Sequence, residues 1–433
     1  MTANANRRDF LKAGAVATAT AAATNLLPTA VHAAGGDVIK IGVVGCGGRG
    51  SGATANCLDA DKAVRVHALG DVFEEKATRL GRNLQNKYKG RLEVEGRVFG
   101  GLDAYQKVID SGVDLVILAT PPGFRPLHLE AAIKAKKHVF TEKPVAVDAP
   151  GIRKVLGLVD EAKKHNLAVV PGTQRRHQKA YLEVLKRFQD GAIGDVVSAR
   201  CSWNGSGIWF HRRNKGESDA AYQLRNWYHF VWLCGDHIVE QHVHNLDVIN
   251  WFLGAHPVKA VAMGGRMGGS EARPDGDPQE VGHIWDHFAV EYEYPNGVRL
   301  ASYCRHYYGP GDISETLVGT KGKVRTSDKN YYQVGGKDAY SVEKDRNDDL
   351  SPYVQEHIDM IASIRSGKPL NGLRSVAEST MTAILGREAA YSGTALTWDR
   401  LLASSVATMP DGLTMESSIK VPPVPHPGKY KAV

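Results

Sequence analysis

Val38-Ile39-Lys40-Ile41-Gly42-Val43-Val44-Gly45-Cys46-Gly47-Gly48-Arg49-Gly50 is the stretch that decides the fold. Its first half is rich in β-branched residues. Its second half carries glycines at G-x-G-x-x-G spacing: Gly45, Gly47 and Gly50. This reads as a buried parallel strand that runs into a tight turn and then a helix. Gly45 permits the turn, Gly47 lets a pyrophosphate approach the backbone, and Gly50 lets the helix pack close to the strand. The free N–H groups at the helix start, with Gly48 and Arg49 in the same turn, then face the phosphates.

Glycine turns are common, so the context matters. Val64 to Gly70 reads as a second strand, and Asp71 ends it. An acidic residue at that position holds the adenosine ribose hydroxyls and favours NAD over NADP, whose 2′-phosphate would meet its charge.

The chain begins Asn6-Arg7-Arg8-Asp9-Phe10-Leu11-Lys12, followed by a mild Ala/Thr/Gly run to Leu27 and small residues around Val31-His32-Ala33. Residues 1–33 therefore read as a twin-arginine export signal. The apolar run is too weak for a spanning helix, which needs about 20 strongly apolar residues. A protein exported folded takes its cofactor from the cytoplasm. Outside, it must hold that cofactor very tightly or return the hydride within each turnover. A periplasmic or otherwise extracytoplasmic location follows, without stable membrane insertion.

About 400 residues remain, too many for one ordinary core, so at least two domains are expected. Lys and Arg total 54 against 47 Asp and Glu. The signal itself carries a small positive excess, so the rest of the chain is only modestly basic, and no long basic run points to nucleic acid. Five cysteines (46, 57, 201, 234 and 304) are scattered without C-x-x-C spacing. Neither a disulfide framework nor a zinc site is indicated.

From residue 38 to about 150, strand and helix patterns alternate. Glu74 to Tyr88 and Leu127 to Ala135 read as helices. Gly112 to Thr120 and His138 to Thr141 read as strands. Such alternation implies right-handed crossovers and a parallel sheet, with ligands beyond the C-terminal strand ends. Those ends are Gly45, Asp71, Thr120 and Glu142, and all four should border one crevice. Farther on, Val258–Met263, His287–Tyr294, Val298–Tyr303 and Ser314–Val318 read as strands, with Pro295-Asn296-Gly297 as a hairpin turn. Lys337 to Leu350 is charged and loop-like. Tyr353–Ile364 and Ser375–Tyr391 read as helices. The fold class is thus α/β: an N-terminal Rossmann domain with a doubly wound parallel sheet, then an α+β domain with an open, largely antiparallel sheet. The expected boundaries are 37–165 for the nucleotide domain and 166–345 for a substrate and oligomerisation domain. Residues 346–433 should pack back on both.

Several motifs together resemble the Gfo/Idh/MocA oxidoreductases. They are Gly45-x-Gly47-x-x-Gly50, Thr120-Pro121-Pro122 with His128 after it, Lys137-His138-Val139, and Glu142-Lys143-Pro144. The likeness continues in Gln174-Arg175-Arg176, Gly191-x-Ile193-Gly194-x-Val196, Glu240-x-x-x-His244-x-x-Asp247, and Arg387 to Gly393. It implies a nicotinamide cofactor held by the glycine turn, Asp71, Thr120, Pro121, His128, Glu142 and Lys143. It also implies a homodimer or homotetramer. In the family the lysine matching Lys143 touches nicotinamide ribose and substrate. The histidine matching His244 accepts the hydroxyl proton, and a carboxylate on the preceding turn is its partner. The common pattern has Asp where this chain has Glu240, and the extra methylene moves the carboxylate by about 1.5 Å.

At 100° per residue, Glu240, His244, Asp247 and Trp251 share one helix stripe, while His242 lies on the other side. A helix that starts early would add His237, and His237, Glu240 and His244 could then hold a metal; the simpler expectation is no metal, with His237 bonding substrate. Alcohol oxidation needs a hydride acceptor and a group to take the hydroxyl proton. Lys143 and His244 are the candidates for the proton, and burial beside the cofactor should lower the lysine's pKa. Glu240 completes the catalytic set.

The aromatic stretches Trp203–Arg213 and Arg225–Phe230 suit a carbohydrate, whose C–H faces stack on rings. Arg176, Trp227, His237, Glu240, Asp247 and Tyr307 are the candidate substrate groups. The first reading is an exported oxidoreductase that moves a hydride from a sugar hydroxyl to tightly bound nicotinamide. A second is a redox-neutral glycosidase like the family 109 glycoside hydrolases, although the Tyr-Pro-Thr-His stretch associated with them is missing. A third is a non-catalytic sugar-binding protein that kept the fold.

Overall fold

The computed structural model describes residues 38–267, 276–327, 331–336, 339–343 and 350–433. The export signal expected at 1–33 lies outside the described residues.

The first sheet has six strands: β1 (Ile39–Val44), β2 (Val64–Asp71), β3 (Val98–Gly100), β4 (Leu115–Leu118), β5 (His138–Thr141) and β6 (Val169–Pro171). Their order is β3-β2-β1-β4-β5-β6, and every neighbouring pair is parallel. Both faces are covered, which is why β1 and β4 read as continuous apolar runs instead of alternating. On one face α1 (Gly48–Ala60) and α2 (Glu74–Lys87) pack Ala53, Cys57, Leu80 and Leu84 against Ile41, Val43 and Ile117. On the other, α3 (Ala104–Asp110), α4 (Arg125–Lys134) and α5 (Ala149–Lys164) pack Val108, Leu129 and Val155 against Val44, Val116 and Leu118. The strand order reverses at β1, between β2 and β4, so the glycine turn sits at the topological switch point.

The sixth strand corrects the expected boundary near 165. Val139, Phe140 and Thr141 of β5 pair with Val169, Val170 and Pro171, so the second lobe begins after Pro171. Three residues behind a 16-residue helix are too few to show a period of their own.

The second sheet has nine strands: β7 (Val196–Asn204), β8 (Lys259–Gly265), β9 (His287–Glu293), β10 (Arg299–Arg305), β11 (Asp312–Gly319), β12 (Gly322–Ser327), β13 (Tyr331–Gly336), β14 (Tyr340–Glu343) and β15 (Leu396–Thr397). They run in the order β14-β13-β12-β11-β7-β10-β9-β8-β15. β7 and β10 are parallel, and the other pairs are antiparallel. The expected loop from Lys337 to Leu350 holds strand β14, while residues 344–349 fall outside the described residues. One face of the sheet is buried by α6 (Lys179–Gln189), α7 (Val243–Leu253) and α9 (Leu373–Ser392), through Val184, Leu246, Ile249 and Ile384 against Val290, Leu300 and Leu317.

Two C-terminal helices join the lobes. α8 (Pro352–Arg365) puts Met360 and Ile361 into the core beneath α1 and α2. α9 places Val376 and Ala377 in the first lobe's core and Ile384 and Leu385 in the second's. Its 20 residues are buried on nearly every side, as expected of a helix with no polar face. All five cysteines are buried free thiols.

The glycine turn separates packing from ligand access. Gly45 has φ +94°, a left-handed backbone that disfavours any side chain. A Cβ on Gly50 would lie 1.8 Å from the Gly45 carbonyl oxygen, whereas a Cβ on Gly47 would meet nothing within 4 Å. Gly50→Ala should therefore cost about 2 kcal/mol or more in denaturant unfolding, as α1 is pushed off its strand. Gly47→Ala should leave stability within about 0.5 kcal/mol and lower NAD affinity in titration calorimetry. Equal behaviour of the two variants would contradict this division.

Candidate active site

The cleft at the switch point is lined by Gly45, Gly47, Asp71, Thr120, Pro121 and His128, among others. Three of the four expected strand ends thus border one pocket. Asp71 is nearly buried. Its Oδ2 accepts from the Cys46 N–H at 2.7 Å and its Oδ1 from the Phe73 N–H at 3.0 Å. Burial raises its pKa, opposed by those two N–H bonds and by Lys76. Each oxygen keeps a lone pair for a ribose hydroxyl. His128 sits under the pocket: its Nδ1 lies 3.1 Å from the Thr120 hydroxyl, and its ring stacks on Tyr105 at 4.3 Å. Burial and Arg125 pull it down to about 3, so it is neutral. Gly47 opens on empty space and Asp71 faces it, so the site fits a dinucleotide.

The fourth strand end is placed otherwise. Glu142 pairs with Arg49 at 2.5 Å, and Arg49 also reaches Glu356 of α8 at 3.3 Å and lies over the Tyr353 ring. Glu142 and Arg49 were both read as cofactor groups; here they hold each other at the start of α1. Burial, then Glu142, raises the Glu356 pKa well above the usual range, against the pull of Arg49.

Next to this cleft the second lobe brings its polar helix. Lys143 follows β5, and its Nζ donates to the Glu240 carbonyl at 2.5 Å and to Glu240 Oε1 at 3.1 Å. Both side chains are nine-tenths buried. Burial raises the Glu240 pKa and Lys143 lowers it. The second carboxylate oxygen, Oε2, is buried without a hydrogen-bond partner, an acceptor still open to a hydroxyl. One turn on, the His244 ring stacks at 5.6 Å on Trp203, which comes from β7. Burial, then the charge of Lys143, lowers its pKa well below the ordinary value, so the imidazole is neutral.

Asp247 and Arg176 form a bidentate pair, 2.8 and 2.9 Å, with Ser379 donating to Asp247 at 2.8 Å and Arg176 over Trp251. These two expected substrate groups thus pair with each other.

The helix is not regular. Ile238–His242 forms a π-helical turn before α7 starts at Val243. The 100° rotation therefore fails across Glu240, because a π turn holds more residues per revolution. His237 does not join a ligating trio. Its Nδ1 lies 3.1 Å from the Tyr228 hydroxyl, and its ring is 4.7 Å from His306. Among the described residues no three His, Cys, Asp or Glu side chains are grouped to hold a metal ion. His242 points away, with its Nε2 2.7 Å from the Ser302 hydroxyl.

Trp227 lines the dinucleotide cleft, although its sequence context suggested the sugar. Tyr307 follows the end of β10, beside His287 and under Arg305.

Other groups that build the site gave little sequence signal. Asp236, at φ +76°, precedes the π turn. Its carboxylate accepts from the N–H groups of His237 at 2.5 Å and Trp285 at 2.7 Å and from the Tyr391 hydroxyl. Burial pushes its pKa up to about 6. Arg387 of α9 donates to the carbonyls of Val147 at 2.8 Å and Gly235 at 3.0 Å. Arg125 of α4 donates to the Leu118 and Thr120 carbonyls, which secures the end of β4. Of these groups only Arg387 stood in a family-like motif of the sequence.

A parallel sheet with a glycine turn at its switch point and a lysine past its fifth strand, joined to a lobe that sets a glutamate and a neutral histidine against that lysine, has the architecture of a dinucleotide-dependent oxidoreductase. Residues 39–173 match the oxidoreductase family's NAD-binding Rossmann fold, and residues 186–391 match the C-terminal alpha/beta domain of the same family. The chain belongs to the Gfo/Idh/MocA oxidoreductase family. Residues 4–24 match the signal sequence of the twin-arginine translocation pathway. Among the described residues no helix is long and apolar enough to cross a membrane.

The inositol 2-dehydrogenase of Azotobacter vinelandii is 24% identical over 342 residues, covering 76% of this chain and 87% of that protein. A glycosyl hydrolase family 109 protein of Streptomyces coelicolor is 27% identical over 202 residues, covering 46% of this chain and 39% of that protein. Among solved structures, a levoglucosan dehydrogenase in complex with NADH and levoglucosan superposes with a TM-score of 0.66 at 15% identity, covering 83% of this chain and 99% of that one. At that identity the likeness is one of fold.

Lys143→Met leaves Glu240 buried without its cation and should cost about 3–5 kcal/mol. With Lys143 gone, only Arg125 still opposes burial and Glu142, and Glu240's pKa rises further in the folded state. The loss should then be largest at pH 8 and shrink as pH falls toward the unfolded carboxylate value of about 4.3. Urea unfolding at pH 5 and pH 8 checks this, and a pH-independent loss would contradict it.

Proposed function

We propose that this protein is an NAD-dependent oxidoreductase that removes a hydride from a hydroxyl-bearing carbon of a sugar or sugar derivative and works after export by the twin-arginine route. The observation that carries the reading is the Lys143–Glu240 pair, 3.1 Å, which joins the end of β5 to the π turn, with a neutral His244 one turn on. When bound, the nicotinamide supplies the hydride acceptor. Asp71 would hold the adenosine ribose, and the Gly45–Gly50 turn the pyrophosphate.

The chain's own groups divide the remaining work. His244 is partly exposed, and none of its described neighbours donates a hydrogen bond to it, so a ring nitrogen is open to take the hydroxyl proton. Trp203 holds the ring's plane from one side. Lys143 carries the positive charge nearest the reacting oxygen, and Glu240 fixes its Nζ by two bonds. The Arg176–Asp247 pair keeps the helix seated while substrate exchanges. Trp203 and the neighbouring rings offer apolar faces to the C–H side of a sugar.

The partial likeness to a family 109 glycoside hydrolase supports a second reading. The same groups would oxidise a glycoside, let the aglycone leave by elimination, and return the hydride after water adds. Such a cycle suits a compartment poor in free nicotinamide.

Purified protein is mixed with a panel of free sugars, cyclitols and glycosides. Absorbance at the reduced-nicotinamide band and product analysis then separate net oxidation from net cleavage. No spectral change and no product with any member would end both readings. His244→Ala and Lys143→Ala should each lower kcat/KM by roughly 10²–10⁴; intact turnover in both would remove them from the chemistry. A base must be neutral to act, and burial keeps His244 neutral well below its ordinary pKa. The pH profile of kcat/KM should therefore show no break near 6.5 on the acid side. Asp71→Ala should weaken NAD binding more than NADP binding, and equal loss of both would contradict the ribose contact.

A further inference from the structure

The dinucleotide pocket has a wall that the first lobe does not supply. Leu224 and Trp227 face Asp71, Phe73 and Tyr105 across it, yet both lie far beyond β6 in the chain. They belong to a stretch of short helices, Asp219–Arg225 and Trp227–His229.

That stretch is tied down from an unexpected direction, the C-terminal chain. The Ala220 N–H donates to the Ser417 carbonyl at 3.1 Å, and Gln223 Nε2 to the Ile419 carbonyl at 2.9 Å. Asp219 Oδ2 accepts from the Ser418 hydroxyl at 2.9 Å and the Ile419 N–H at 3.1 Å. Gln279 grips the same strand of chain with both ends of its amide: Nε2 donates to the Ile419 carbonyl and Oε1 accepts from the Val421 N–H, each at 2.9 Å. Ile419 and Val421 are buried in one apolar cluster with Leu224, Phe230 and Trp232, and Phe73 and Phe124 of the pocket side pack against that cluster.

We propose that Leu224 and Trp227 are cofactor-contacting residues that close the adenosine end of the dinucleotide site, and that residues 415–421 are the clasp that holds them closed. The end is the adenosine one because Asp71 stands there, at the end of β2. To open it, the 219–229 stretch must swing away from Phe73 and Tyr105. That motion strips the tail's hydrogen bonds and exposes Ile419 and Val421 together, so release is slow. A protein that crosses a membrane folded keeps only what it grips, and this wall supplies the grip. The inference rests on the family's NAD-binding site and not on the identity of the substrate.

The test follows dinucleotide release from the full-length protein loaded with NAD, diluted into buffer containing an NAD-consuming enzyme. No sugar is present, so failure of the carbohydrate reading does not affect the outcome. Trp227→Ala should release NAD at least tenfold faster than the parent. Asp219→Ala combined with Gln279→Ala, which touches the tail and not the pocket, should do the same. The double variant should also speed hydrogen exchange at amides 415–421. Release within twofold of the parent, in a double variant whose 415–421 amides exchange faster, would overturn the proposal. On the unmodified protein, stripping NAD should raise exchange in 219–229 and 415–421 together. Unchanged exchange in both would overturn it equally.

Discussion

One ion pair holds the two lobes in register: Lys143, just past the fifth strand of the parallel sheet, against Glu240 in the π turn of the second lobe, 97 positions along the chain. Neither partner tolerates its position alone. A buried carboxylate without a cation takes up a proton, and a buried ammonium without an acceptor is strongly disfavoured. The pair forms only when the sheet end and the turn approach within a hydrogen bond, so it ties fold to site. It also sets the electrostatics next door, because the lysine's charge adds to burial in keeping His244 neutral.

The surroundings of that pair serve its alignment. Asp236 receives two backbone N–H groups and the Tyr391 hydroxyl at the entrance to the π turn. Its left-handed backbone costs on the order of 1 kcal/mol or more and is held by those bonds. Arg387 connects Gly235 to Val147, and thus the turn to the chain that follows Lys143. Asp247, locked to Arg176, holds the far end of the same helix. Lys143, Glu240 and His244 therefore sit on backbone fixed from several sides, the condition a proton acceptor would need to keep its aim.

The cofactor side follows a different logic. The glycine turn, Asp71 and His128 are laid out by the first lobe's own sequence, at the ends of consecutive strands. Arg49 and Glu142, expected in the same group, pair with each other, and Arg49 also reaches Glu356 of a helix more than 300 residues later. The second lobe adds Leu224 and Trp227 to the lining of the same cleft, and the tail packs behind them. A site that looks local in sequence is thus finished by chain from both ends of the molecule.

The sequence by itself determined the parallel sheet, its switch point, the residues at its strand ends and the presence of a sheet-bearing second lobe. Alternating patterns and glycine spacing are short-range signals, and they report what neighbours along the chain do. It was silent on β6 and β14, which are too short to show a period, and on the π turn, where helical spacing changes. Only the tertiary structure decided which charges meet: Lys143 with Glu240, Arg176 with Asp247, Arg49 with Glu142 and Glu356. It also put Trp227 in the lining of the cleft beside Asp71, and Tyr307 beside His287 and Arg305. Partners far apart in the chain are chosen by packing and by the cost of burying a lone charge, and neither leaves a mark in local residue order.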